Sequence, residues 1–278
     1  MTTIASQVLK QHLTGTMPVI MGILNVTPDS FSDGGEYDCI DMGVQRALEM
    51  QAEGASIIDI GGESTRPGAL PVNTEQEIER VVPVIEAIRQ QSDIPISIDT
   101  SKPEVMRAAV LAGANLVNDV NALRAEGAVA CCVELGVPVC LMHMQGEPRT
   151  MQQNPEYVDV VSDVRDFLIQ RAQTCMDAGI AQSQILLDPG FGFGKTLAHN
   201  LQLVARLDEL CRLDFPVLIG LSRKSMFGAI LDRPVDDRLI GSVVAAVVAY
   251  GKGARWFRVH DVAETSDALR VCVAIDQA

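Results

Sequence analysis

Asp99, Asn118 and Asp188 each close a short apolar run, and what they offer is mainly hydrogen-bond acceptors. A carboxylate at the mouth of an apolar core costs desolvation unless a donor meets it. Two carboxylates and an amide suit a flat heterocycle with adjacent N–H groups, such as the amino-pyrimidinone edge of a pterin or guanine. Each charge-assisted hydrogen bond to such an edge contributes about 1.5–3 kcal/mol. The plainer alternative, an acid that caps the next helix, accounts for Asp99 alone better than for the three together.

Cations close other runs. Arg258 and His260 straddle Val259 in RVHDV, so both face one side of a strand and form an anion site. The alternative for His260 is a cap on the last helix. Lys224, in GLSRKSM (Gly220–Met226), could form a Schiff base or hydrogen-bond an anionic or carbonyl group. Its neighbours Ser222, Arg223 and Ser225 suggest a wet site, against the desolvated amine that a Schiff base needs. Net charge is −14, so an anionic ligand needs a local positive patch, and Arg66, Arg223, Lys224, Arg258 and His260 would supply it.

Asn25 is a neutral oxygen donor beside an acidic loop holding Asp29 and Asp33, and magnesium takes such oxygens together with substrate phosphates. His143 in LMHMQG has no second histidine at ligand spacing and reads as structural or as supporting a residue of the site, not as a metal ligand. The segment DPGFGFGK (Asp188–Lys195) is not a phosphate loop, because three residues separate Gly190 from Gly194 where that motif has four. It reads as a mobile wall for an aromatic ligand, carrying Phe191 and Phe193, either of which could instead be core.

The elements that must position these groups are eight apolar runs ending in polar residues, with helical stretches between. Strands are predicted over Val19–Val26, Ser56–Ile60, Pro95–Asp99, Leu116–Val120, Pro138–Met144, Ile185–Asp188, Pro216–Leu221 and Arg255–Val259. Helices fall near Asp41–Glu53, Thr74–Gln90, Gly127–Leu135, Glu156–Ala178, Asn200–Arg212, Asp236–Tyr250 and Val262–Ile275, with another opening at Pro103. Ile78, Val81, Val82, Ile85 and Ile88 line one helical face, and Thr74 with Glu77 reads as a capping box. Chemistry at the ends of many parallel strands is the pattern of a single-domain (β/α)8 TIM barrel, over residues 18–278, preceded by an N-terminal extension, 1–17.

Composition excludes several partners. The acidic balance argues against nucleic acid and anionic membrane, which demand a basic surface. The longest apolar stretch, Val243–Tyr250, is far short of the roughly 20 residues that span a bilayer. The N-terminus lacks the basic start and apolar core of a signal peptide. Seven cysteines, without a CxxC pair or zinc spacing, fit a reduced compartment. A soluble, cytoplasmic protein is expected.

The motifs NVTPDSFSDGG (Asn25–Gly35), GGESTRPG (Gly61–Gly68), DTSKPE (Asp99–Glu104), LMHMQG (Leu141–Gly146), LLDPGFGFGK (Leu186–Lys195), GLSRKSM and RVHDV resemble those of bacterial dihydropteroate synthases. The resemblance runs from about Pro18 to Ile275. It implies a barrel enzyme that joins the diphosphate ester of 6-hydroxymethyl-7,8-dihydropterin to p-aminobenzoate by a dissociative substitution. Pterin contacts would be Asp99, Asn118, Asp188 and Lys224, with Met142 lining the pocket and Arg258 covering the ring. Asn25, Arg258 and His260 would meet the diphosphate, with Mg2+ held through Asn25 and an aspartate of the first loop as a further candidate ligand. Thr65, Arg66, Pro67, Phe193, Lys224 and Ser225 would surround p-aminobenzoate, the site for which sulfonamides compete in the family. Asn25, Arg66, Lys224, Arg258 and His260 would carry the catalysis, in a homodimer.

Three other readings remain open at this point. A pterin-dependent methyltransferase domain would share the pocket but have no use for the diphosphate groups. A non-catalytic pterin-binding relative should have lost Asn25, Arg66, Lys224 or His260, all of which are present. An aldolase would let borohydride trap Lys224 with a carbonyl substrate.

Overall fold

A barrel interior is built by every second residue of each strand, and here those residues change character with height. The computed structural model describes residues 3–27, 36–64, 71–146 and 150–278. Its strands are β1 (Val19–Asn25), β2 (Ile57–Gly61), β3 (Ile96–Asp99), β4 (Leu116–Asp119), β5 (Val139–Met142), β6 (Ile185–Asp188), β7 (Leu218–Ile219) and β8 (Trp256–Val259). All the pairings are parallel, in the order β6-β5-β4-β3-β2-β1-β8-β7. A single bridge, Leu187 to Val217, joins the two ends of that order and closes the barrel.

Val19, Met21, Ile57, Leu116, Cys140, Leu186, Leu218 and Trp256 form one buried apolar cluster at the N-terminal end of the strands. Leu9 and Leu13 complete it, reaching in from α1 (Ile4–Thr14). This helix plugs the bottom of the barrel, and Thr3 caps it by accepting from the Ser6 N–H. Burying each leucine contributes about 1.5–3 kcal/mol. Nothing in the sequence reading assigned an element to that stretch.

The outward strand faces pack on a ring of helices: α2 (Glu36–Ala52), α3 (Thr74–Arg89), α4 (Pro103–Ala112), α5 (Ala128–Leu135), α6 (Val160–Asp177), α7 (Leu197–Ala205), α8 (Leu207–Cys211), α9 (Ser225–Leu231), α10 (Leu239–Gly251) and α11 (Val262–Asp276). On α3, Val81, Ile85 and Ile88 of the face that the periodicity marked are fully buried, Ile78 and Val82 are half-buried, and Val84 joins them in the core. Its cap is corrected: Asn73 accepts from the Gln76 N–H at 2.8 Å, while Glu77 turns into the protein.

Other bounds shift as well. Strand β7 is two residues long, less than Pro216–Leu221, and the helix α9 follows it unforeseen. The stretch Asn200–Arg212 divides into α7 and α8 at Arg206, whose guanidinium pairs with both Asp159 and Glu209. No helix among the described residues is long and apolar enough to cross a membrane.

Candidate active site

Above the apolar cluster the inward positions become polar. Asp59 stands level with Ile23 and Ser97, and one step higher Asp99 pairs in register with Gly61 and Asn118. Arg258 enters from β8, level with Met21. Its Nε donates to Asp59 Oδ2 at 2.6 Å and its Nη2 to Asp99 Oδ2 at 2.6 Å. Asn118 Nδ2 faces the same Asp59 carboxylate, at 3.3 and 3.4 Å. Four strands thus meet in one chain of contacts, Asn118–Asp59–Arg258–Asp99.

Asp59 is fully buried and joins this cluster, a candidate that the strand-end rule missed. It sits inside the run IIDIG rather than at its end. A lone carboxylate within an apolar strand was the available signal, since burial of such a charge demands a partner.

Asp188 ends β6 opposite Met142, and its Oδ1 accepts from the Gly190 N–H at 2.7 Å. Among the described residues, Asp99 Oδ1 and Asp188 Oδ2 take no protein donor. Gly61 leaves the space between Asn25 and Asp99 open: a Cβ there would lie 3.6 Å from the Asp99 Cβ and 3.8 Å from Asn25 Oδ1. The barrel mouth therefore holds unused acceptors around a cation.

Burial sets the electrostatics. It pushes the Asp99 carboxyl up to about 7, against the pull of Arg258 and with the help of Asp59. Burial likewise raises Asp188, opposed by the Gly190 N–H. Lys224 is lowered to about 8 by desolvation first and by Arg258 second. The polar neighbours of Lys224 thus leave it drier than the sequence suggested. His260 is lowered to about 4 by burial and by Arg258, so at neutral pH it contributes an imidazole, not a charge.

The remaining residues fall into place around this mouth. Lys224 Nζ stands 4.3 Å from the centre of the Phe193 ring, a cation–π contact. Phe193 packs on a small cluster of Met142, Met144 and Met151, while Phe191 is buried in the main core. Ser225 is exposed as the first residue of α9. His260 meets Ser222 Oγ through both its backbone N–H and its Nδ1, each at 3.1 Å, and does not cap α11. Arg223 leaves the expected positive patch: its guanidinium pairs with Asp261, and its backbone takes a left-handed φ of 55°.

Asn25 is half-buried, in register with Gly61. Among the described residues no group of three or more His, Cys, Asp or Glu is placed to hold a metal. Thr65, Arg66, Pro67, Asp29 and Asp33 lie outside the described residues. The root of the second loop is described, and it is anchored. Lys102 pairs with Glu63 and with the buried Glu77, each at 2.5 Å, and Arg80 donates to the Gly62 carbonyl at 2.8 Å.

An eight-stranded parallel barrel with its polar groups gathered at the C-terminal rim has the architecture of a β/α-barrel enzyme. The family model described as pterin binding enzyme matches residues 21–260. The dihydropteroate synthase of Haemophilus influenzae is 54% identical over 263 residues, 95% of this chain and 96% of that protein. The Escherichia coli K12 dihydropteroate synthase is 52% identical over 257 residues, 92% of this chain and 91% of that one.

Among solved structures, the Yersinia pestis dihydropteroate synthase in a sulfonamide drug complex superposes with a TM-score of 0.90 at 51% identity, covering 94% of this chain and 95% of that one. The Xanthomonas albilineans dihydropteroate synthase in complex with 7,8-dihydropteroate gives 0.87 at 48% identity, covering 96% and 95%. The chain belongs to the pterin-binding enzyme family, among its dihydropteroate synthases.

Proposed function

We propose that this barrel joins (7,8-dihydropterin-6-yl)methyl diphosphate to p-aminobenzoate, forming 7,8-dihydropteroate and pyrophosphate for folate biosynthesis. The observation that carries the reading is the pair of acceptors, Asp99 Oδ1 and Asp188 Oδ2, that no donor among the described residues meets, with Asn118 and the Arg258 guanidinium beside them. A pterin edge supplies the N–H donors that those oxygens lack. Phe193, Lys224 and Ser225 would then border p-aminobenzoate, for which Thr65, Arg66 and Pro67 are the remaining candidates. The Xanthomonas albilineans relative was solved with 4-aminobenzoic acid, which supports p-aminobenzoate as a substrate here.

The reaction breaks the bond from the pterin methylene to the diphosphate oxygen, and the electron pair leaves with pyrophosphate. The cation that remains is delocalised into the electron-rich dihydropterin. The aromatic amine then forms the C–N bond and releases a proton. Arg258 favours the departing charge by preorganised attraction, and His260 can donate an N–H to the same oxygens. An arylamine needs no strong base, which suits a mouth whose histidine is neutral. Exclusion of water by the two loops would protect the cation.

Asn25, one half-buried amide oxygen, fits a magnesium ion that draws its other ligands from diphosphate and water. Bound there, the ion would neutralise leaving-group charge. A homodimer belongs to the same reading, supported by the exposed Ile240, Val244, Val247 and Val248 on α10. So does a cytoplasmic location, supported by six free thiols among the described residues.

The test is pyrophosphate release by the purified protein with magnesium, the pterin diphosphate and p-aminobenzoate, omitting each in turn. Release that needs all three, with dihydropteroate formed, is expected. Tight pterin binding without release would refute the synthase reading and return attention to a methyltransferase or a non-catalytic binder.

A further inference from the structure

Lys195 is 3% exposed, a buried amine that the mechanism above does not use. Its Nζ lies 2.9 Å from the Gly190 carbonyl, 3.0 Å from the Phe193 carbonyl and 3.3 Å from the His143 carbonyl, and 2.9 Å from His143 Nδ1. An ammonium has three protons and no lone pair, so everything around it must accept. In the ammonium form of Lys195, His143 Nδ1 must be unprotonated, with the imidazole proton on Nε2.

The loop that Lys195 closes has no helix or strand of its own between β6 and α7. Gly190, Gly192 and Gly194 all take positive φ, at 66°, 81° and 60°. The chain presses so hard on the end of β5 that a Cβ at Gly190 would fall 1.9 Å from the His143 carbonyl oxygen. Neutral groups also hold it: Tyr157 Oη donates to the Gly194 carbonyl at 2.7 Å, and Asn200 Oδ1 accepts from the Gly192 N–H at 2.8 Å. Lys195 is the one charged group in direct hydrogen bond to the loop's own carbonyls among the described residues. Two consequences of this folding reach the site. Phe193 is placed over Lys224, and the Gly190 N–H is aimed at Asp188.

We propose that Lys195, held against an accepting His143 Nδ1, is a positioning residue that sets the Phe193 wall of the p-aminobenzoate subsite. The inference rests on the function proposed above for the identity of that subsite, but not for the clamp itself. Burial keeps His143 neutral, lowering it to about 2, with Lys195 adding to the fall. Burial also lowers Lys195 to about 7, partly offset by Asp188, so the clamp is best observed at pH 6.

The test has two arms. Nitrogen-15 NMR of the histidine-labelled full chain at pH 6 should show His143 with Nδ1 bare and Nε2 protonated. A proton on Nδ1 would overturn the ammonium clamp. In steady-state assays, Lys195→Met should raise KM for p-aminobenzoate about tenfold and change kcat less than about threefold. In a Phe193→Leu background the same substitution should change that KM less than about twofold, because the two act as one unit. An equal KM effect in both backgrounds, or a fall in kcat alone, would overturn the proposal. If Lys195→Met does not fold, the NMR arm decides. If the parent forms no dihydropteroate, the functional reading fails, and the NMR arm still decides the clamp.

Discussion

Asp59→Asn tests the part of the site that lies deepest. The carboxylate accepts a charge-assisted bond from Arg258 Nε at 2.6 Å in full burial. An amide would keep an acceptor there but lose the charge, a difference of about 1–2 kcal/mol between charged and neutral hydrogen bonds. The amide also has only one oxygen, and Asn118 Nδ2 faces both oxygens of the carboxylate. One donor would then meet another, adding about 1 kcal/mol for an unmatched buried group. The expected loss is about 2–3 kcal/mol in urea unfolding at unchanged m, and a melting point lower by about 5 °C. Removing the Asp59 charge also removes one cause of the high Asp99 value, so Asp99 should titrate lower than in the parent. Pterin binding, measured by calorimetry across pH, should then persist to more acidic solution. An unchanged melting point together with an unchanged binding profile would refute the linked Asn118–Asp59–Arg258–Asp99 arrangement.

Asp99→Asn should weaken pterin binding by about 1.5–3 kcal/mol, roughly 10- to 150-fold in Kd, and parental affinity in calorimetry would dismiss the pocket assignment. Because burial raises Asp99 to about 7, two pH effects run in opposite directions. Pterin affinity should fall as the carboxylate is protonated below about pH 7, whereas the free protein's stability should decline as pH rises from the ordinary carboxylate range through about 7, since the folded state binds the proton more tightly. Titration calorimetry and melting curves at pH 5 and 8 separate the two. Lys224, lowered to about 8, should lose its ammonium above that pH and with it the charge over Phe193; KM for p-aminobenzoate that stayed flat to pH 9 would remove Lys224 from that subsite. Lys102→Met strips the partner from the fully buried Glu77 and should destabilise the fold by about 3–5 kcal/mol in urea unfolding, against less than 1 kcal/mol if the pair behaves as an exposed one.

Much of this protein follows from local rules applied along the chain. The eight strands are legible because short apolar runs with helical patterns between them have one stable arrangement, with each run parallel to the next and covered on its outer face. Asp99, Asn118, Asp188, Arg258 and His260 are legible as rim candidates because a polar residue at the end of such a run is carried to the mouth of the barrel. Helix α1 escaped for the converse reason. Its apolar residues Leu9 and Leu13 make sense only against the barrel floor, which eight separate segments assemble.

What the sequence determined by itself is therefore the alternation, the order and the rim, since each depends on neighbours within a few residues. Which rim groups touch was decided by the tertiary structure. Register stacks Asp59 one layer below Asp99 and brings Arg258 between them across 199 and 159 residues of chain. The same holds for Lys195, whose meeting with His143 across 52 residues turns a glycine-rich stretch into a fixed wall. Charge partners and pKa values are set by distance and desolvation, and both arise only when the barrel closes.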